Sequence, residues 1–215
     1  MNQESSPPAI PARHVQRLSA LLADGKRKIL GIVGAPGAGK SSFAQALHLA
    51  FPDISQIVPM DGFHLANTEL ARLGRPQRKG APDTFDSAGY DALLRRLRRQ
   101  GADEMIYAPE FRRDIDEAIA GAIPVFPHSQ LIITEGNYLL LQQDHWQDVA
   151  ALLDQCWYLD VDDALRTERL LRRHERYGRT PREALDWVAA TDAPNAQLIK
   201  ATRARADLVL DWDGG

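Results

Sequence analysis

The stretch Gly34-Ala-Pro-Gly-Ala-Gly-Lys-Ser41 decides how this chain is read. It fits G-x-x-x-x-G-K-S, the phosphate-binding loop, and its flanks supply the context such a loop requires. Before it, Lys28-Ile-Leu-Gly-Ile-Val33 is a short apolar run suited to a buried strand. After it, residues 42–50 are rich in Ala and Leu and free of Gly and Pro, which suits a helix. Gly34, Gly37 and Gly39 allow a tight turn in which successive N–H groups converge on phosphate oxygens, and the positive end of the following helix favours the same anion. The nucleotide-binding set is therefore Gly34, Ala35, Pro36, Gly37, Ala38, Gly39, Lys40, Ser41 and Ser42. Lys40 is expected to reach the outer phosphates and the Ser41 hydroxyl to ligate Mg²⁺. The stretch predicts a protein that binds a nucleoside triphosphate.

Working outward, apolar runs alternate with helical patterns. Val15, Leu18, Leu21 and Leu22 share one face of a helix over 14–24 that Gly25 stops. Residues 54–60 read as a second strand delivering Asp61 at its end, and 62–86 as a polar excursion with one short helix. Tyr90, Leu93, Leu94 and Leu97 define a helix over 87–100, with Arg95, Arg96, Arg98 and Arg99 largely on its solvated side. Residues 105–126 carry no clear periodicity. Strands are expected over 130–134, 155–160 and 208–212, and helices over 144–153, 162–177, 182–190 and 195–205. Such alternation implies an α/β fold, a mainly parallel sheet covered on both faces.

The composition narrows the classes. At 215 residues the chain suits one sizeable α/β domain, and a net charge of −3 gives no reason to expect nucleic acid as a partner. No apolar run approaches the length of a membrane span. The polar, Pro-rich start, residues 1–11, reads as a flexible arm with no apolar signal region. The single Cys156, inside an apolar run, reads as a buried structural thiol in a reducing, cytoplasmic setting.

In open α/β sheets ligands bind beyond the carboxyl ends of the strands, where the loop at Gly34, Asp61 and Glu135 all fall. Asp61 has three readings: a base that takes a proton from a substrate hydroxyl, a holder of Mg²⁺ through water, or a cap before Gly62. Glu135 ends an apolar strand and is open between metal, water and substrate. Arg166, Arg169, Arg173 and Arg176 lie within one arc of a helix, as a lid over phosphates would place them, or as a solvated face. His64, His128, His145 and His174 show no metal-ligand spacing.

The loop together with Met60-Asp-Gly-Phe-His64, Arg78-Lys-Gly-Ala-Pro-Asp-Thr-Phe-Asp86, Thr134-Glu-Gly-Asn-Tyr-Leu139 and the arginine helix resembles the phosphoribulokinase/uridine kinase family of P-loop kinases. Within it the chain is similar to the small bacterial branch labelled fructose transport system kinases, and more distantly to bacterial pantothenate kinase. The resemblance implies a three-layer α/β/α fold with core strand order 2-3-1-4-5, one P-loop kinase domain over 12–215, and a lid near 162–180. It implies ATP and Mg²⁺, and transfer of the γ-phosphate to a hydroxyl of a small metabolite. Asp61, Lys40, Arg169 and Arg173 take the catalytic positions, Ser41, Asp61 and Glu135 the metal, and Asn195 a place near the nucleotide. Phe63, His64, Lys79, Tyr107, Arg112, Glu135 and Asn137 fall on the acceptor side. The family often forms homodimers. Residues 107–113 lack the Tyr-Asp-Phe and His pattern of uridine kinases, so the acceptor class stays open. The rival class is a regulatory NTPase acting on a protein partner; no Asn-Lys-x-Asp guanine-reading motif supports it.

Overall fold

A computed structural model describes residues 10–212, so most of the proposed N-terminal arm, residues 1–9, lies outside the described residues. In chain order the elements are α1 (Ala12–Leu21), β1 (Lys28–Val33), α2 (Lys40–Ala50), β2 (Ser55–Pro59), α3 (Asn67–Arg72), α4 (Ser87–Arg98), β3 (Ile106–Arg112), β4 (Glu117–Val125), β5 (Leu131–Gly136), α5 (Trp146–Val149), β6 (Gln155–Asp160), α6 (Asp163–Arg176), α7 (Pro181–Trp187), α8 (Ala193–Lys200) and β7 (Leu208–Asp211). Five strands pair in parallel in the order β2-β5-β1-β6-β7. Counted along the chain, that is the expected 2-3-1-4-5.

Period-2 alternation divides the apolar residues of these strands between two helical layers. Ile29 and Val33 of β1, Ile132 of β5 and Cys156 and Tyr158 of β6 pack with Tyr90, Leu93, Leu94 and Leu97 of α4, Trp146 of α5 and Ile199 of α8. Leu30, Ile32, Leu131, Ile133, Trp157 and Leu159 turn the other way, onto Leu18 of α1 and Phe43, Ala44 and Leu47 of α2. Both faces are covered, as an all-parallel sheet requires. Among the described residues no helix is long and apolar enough to cross a membrane.

Local signals set the helix ends. Asp86 caps α4 by accepting from Gly89 N–H, and Asp162 caps α6 by accepting from Ala164 and Leu165. Thr180 and Glu183 form a reciprocal capping box on α7, with Pro181 in its first turn. Gly178, at φ 99°, ends α6.

Three segments differ from the sequence expectation. Residues 106–125 form an antiparallel hairpin, β3–β4, outside the parallel sheet, so helices do not alternate with strands throughout. Its inward pairs, Ile106 with Val125 and Ala108 with Ile123, are interrupted by a register shift after Ala108, which breaks the period that would have revealed it. The helix expected over 144–153 shrinks to α5 and one 3₁₀ turn, because Asp144 stands at φ 47°, a left-handed conformation that cannot begin a helix. The helix expected from 195 begins at Ala193, so Asn195 lies inside α8, and α7 and α8 run together through a π turn at Val188–Asp192.

The excursion after β2 is tied at its base. His64 bridges Phe85, Leu65 N–H donates to Thr84 O at 3.0 Å, and Asp86 N–H donates to Phe63 O at 2.8 Å. It therefore stands as a fixed wall beside the carboxyl ends of β1, β2 and β5.

Candidate active site

The phosphate loop joins β1 to α2. Gly37 and Gly39 both sit at φ near 80°, and a Cβ on Gly37 would stand 2.6 Å from the Arg166 carbonyl. The loop thus passes directly under α6, which only glycine permits. Arg166 is buried and fixes that crossing by donating to Pro36 O at 2.8 Å.

Lys40 begins α2. Its ammonium donates to Gly34 O at 2.9 Å, to Ala35 O at 3.3 Å and to the Asn137 side chain at 2.7 Å. Burial pulls its pKa down to about 8, against the opposing fields of Glu135 and Asp61. A buried ammonium held on carbonyls is a ready partner for a phosphate. Beside it Ser41 donates to Glu135 at 2.8 Å. Burial, and then the neighbouring charge of Asp61, raises the Glu135 pKa.

Asp61 sits in the 3₁₀ turn Met60–Phe63 that follows β2. Burial works against its charge, yet Arg113, Lys40 and Arg173 together hold its carboxyl below the ordinary range. Arg113 donates to its Oδ2 at 2.9 Å. His64 Nδ1 donates to its backbone carbonyl at 2.7 Å, and the His64 ring lies between Phe85 and Phe111, with centroids 4.0 and 4.5 Å away.

These groups open on one cavity of about 860 Å³, lined by Lys40, Ser41, Glu135, Asp61, His64 and Phe111. Arg169 and Arg173 of α6 reach into it from above. The hard-oxygen set Ser41 and Glu135 suits Mg²⁺, which takes few protein ligands and keeps water and phosphate oxygens. No cluster of three His, Cys, Asp or Glu side chains that could hold a metal ion forms among the described residues.

Residues 29–212 match the Phosphoribulokinase / Uridine kinase family. The chain belongs to this family. It is 34% identical over 205 residues to "Putative uridine kinase C227.14" of Schizosaccharomyces pombe, covering 90% of this chain and 87% of that protein. It is 36% identical over 152 residues to "ATP-dependent kinase-like protein notR'" of Aspergillus versicolor, covering 67% and 88%. Among solved structures, a "putative fructose transport system kinase" from Silicibacter sp. TM1040 superposes with a TM-score of 0.81 at 36% identity, covering 91% of this chain and 98% of that one.

Most residues singled out by sequence in this P-loop kinase line the cavity: Pro36, Gly37, Gly39, Lys40, Ser41, Ser42, Asp61, His64, Lys79, Glu135, Asn137, Arg169, Arg173 and Asn195. Gly34, Ala35 and Ala38 are buried behind the loop. Asn195 donates to Gly80 O at 3.2 Å, so its side chain holds the excursion. Four residues lie elsewhere. Phe63 packs edge-on against Tyr90, Tyr107 is 57% exposed on the outer face of the hairpin, Arg112 pairs with Asp114 at 2.8 Å, and Arg176 is exposed. The cavity instead receives Phe111 and Arg113 from the hairpin, and Tyr177, Arg179, Trp187 and Asp192 from the segment after α6. Recognising 106–112 as a strand would have found the first pair, since alternation sends Phe111 and Arg112 to opposite faces.

Proposed function

We propose that this protein is an ATP-dependent kinase that transfers the γ-phosphate to a hydroxyl of a small metabolite, and that residues 12–215 act as one catalytic domain with a lid near 162–180. The observation that carries the reading is a carboxylate, Asp61, ion-paired with Arg113 and set in one cavity with the phosphate-loop lysine. The names of the fission-yeast and Aspergillus relatives point the same way, toward a nucleoside kinase and an ATP-dependent kinase.

In this mechanism the loop from Gly34 to Ser42 cradles the triphosphate and Lys40 draws charge from its outer oxygens. Ser41 and Glu135 hold Mg²⁺, which when bound offsets phosphate charge. Asp61 orients the acceptor hydroxyl and accepts its proton as the new O–P bond forms; the bond from the γ-phosphorus to the bridging oxygen breaks, and ADP leaves. Arg169 and Arg173 stabilise charge on the group in transit, and α6 shields it from water. Arg113 keeps Asp61 ionised until the acceptor arrives.

The test is ADP release from ATP-Mg²⁺ against a panel of sugars, nucleosides, polyols and their acids and phosphates. A strong rise with one class is expected. A rise that appears only with a protein partner would establish the regulatory alternative.

A further inference from the structure

Of the two cations that the excursion and the hairpin bring to the cavity, Lys79 and Arg113, only Arg113 has a pairing inside the protein that leaves most of its donors available. Lys79 is committed to Asp116 at 2.9 Å. Arg113 differs. It follows β3 directly, lies beside the Phe111 ring at 5.8 Å from the centroid, and is 39% exposed in the cavity. Its single ion pair among the described residues is with Asp61, and a guanidinium carries five N–H donors in a fork that suits carboxylate or phosphate. Arg173 is held below its ordinary range by burial and then by Arg113, so two guanidiniums crowd around one carboxylate.

His64 adds a second requirement. Its Nδ1 donates to the Asp61 carbonyl, and burial keeps the ring neutral, which leaves Nε2 as a hydrogen-bond acceptor. The wall therefore presents two acceptors for hydroxyl protons, Asp61 and His64, next to the Arg113 guanidinium, which matches an anion.

Resting on the kinase reading above, we propose that the acceptor is an anionic polyol, a hydroxylated carboxylate or phosphate ester. Its anion binds the Arg113 guanidinium while its hydroxyls donate to Asp61 and to His64 Nε2. Drawing Arg113 onto the ligand removes a cation from Asp61, so the carboxylate gains basicity as the hydroxyl reaches it. A neutral polyol leaves Arg113 on Asp61 and gains no such exchange.

The test uses the full chain saturated with a non-hydrolysable ATP analogue and Mg²⁺, titrated calorimetrically with three probes of one carbon length: glucitol, gluconate and glucitol 6-phosphate. One or both anions should bind about tenfold or more tighter than glucitol, and their ranking separates carboxylate from phosphate. Arg113→Met should bring the three to within about twofold of one another, and Arg113→Lys should keep part of the preference, since a point charge lacks the fork. Affinity for the analogue should be unchanged in both variants. Equal binding of glucitol, an anion preference that survives Arg113→Met, or no binding of any probe overturns the proposal. ADP release with ATP separates the two readings. Anions that bind without release count against the kinase, and with it against an acceptor role, and leave only the anion site at Arg113 standing; release driven by glucitol alone supports the kinase and removes the inference.

Discussion

At the scale of residues the site is a set of charges held out of balance. Asp61 is kept ionised by cations around it, and Lys40 is buried on carbonyls with its pKa brought down to about 8. Asp61→Asn keeps size and hydrogen-bonding capacity but cannot take a proton. It should fold and bind nucleotide normally and lose about 10²- to 10⁴-fold in turnover; near-normal turnover would remove Asp61 from the chemistry. Lys40 gives a pH prediction of definite sign. An unfolded lysine titrates at 10.5, so the free folded protein releases this proton earlier, and its stability gains with pH between about 8 and 10.5. Phosphate beside Lys40 favours the charged form, so nucleotide binding above about pH 8 should take up a proton and weaken by up to about tenfold per pH unit. Calorimetry in two buffers of different ionisation enthalpy measures that uptake. A Kd flat across this range would mean that Lys40 does not titrate there.

At the scale of elements, what the sequence revealed and what it hid follow from how local each signal is. The loop, α6 and β5 were legible because each carries its own pattern: glycine spacing, a one-sided arginine stripe, an apolar run. The hairpin was not legible, because its two strands are defined by each other and by the turn they pack on. Gly62 shows the difference. The Asp-Gly-Phe sequence announces a turn, but the reason for glycine lies across the molecule, where a Cβ on Gly62 would meet the Pro109 carbonyl at 2.2 Å. Backbone cannot yield as a flexible side chain would. Gly62→Ala should therefore push β3 away from the turn that carries Asp61, at a cost of about 1–3 kcal/mol in stability. Acceptor turnover should fall much more than nucleotide affinity, because Lys40 and Ser41 stand on α2, clear of the hairpin. Thermal melting beside kcat/KM for the acceptor and Kd for nucleotide measures this. A stable, active Gly62→Ala would show that hairpin and turn separate freely.

At the scale of the whole molecule, one sheet is shared by two apolar layers, with Trp146 buried in one and Trp157 in the other. Neither layer can lose its packing without exposing the strands that the other also covers, since neighbouring residues of β1, β5 and β6 face opposite ways. The alternation of strands and helices announced a parallel sheet, while its strand order was readable only through the resemblance to the kinase family. The way residues 106–125 attach was not, because that pairing lies outside the sheet. We therefore predict that unfolding is one cooperative transition, with tryptophan fluorescence superimposing on far-UV circular dichroism in denaturant. Trp146→Phe, which leaves Trp157 and Trp212 of the other layer, and the double variant Trp157→Phe/Trp212→Phe, which leaves Trp146, should give the same m-value. A non-hydrolysable ATP analogue at about a hundred times its Kd should add about 2.7 kcal/mol to both signals together. If the analogue moved only the signal from Trp157, the layer that holds α2, the two layers would be separate folding units and a single catalytic domain over 12–215 would be the wrong description.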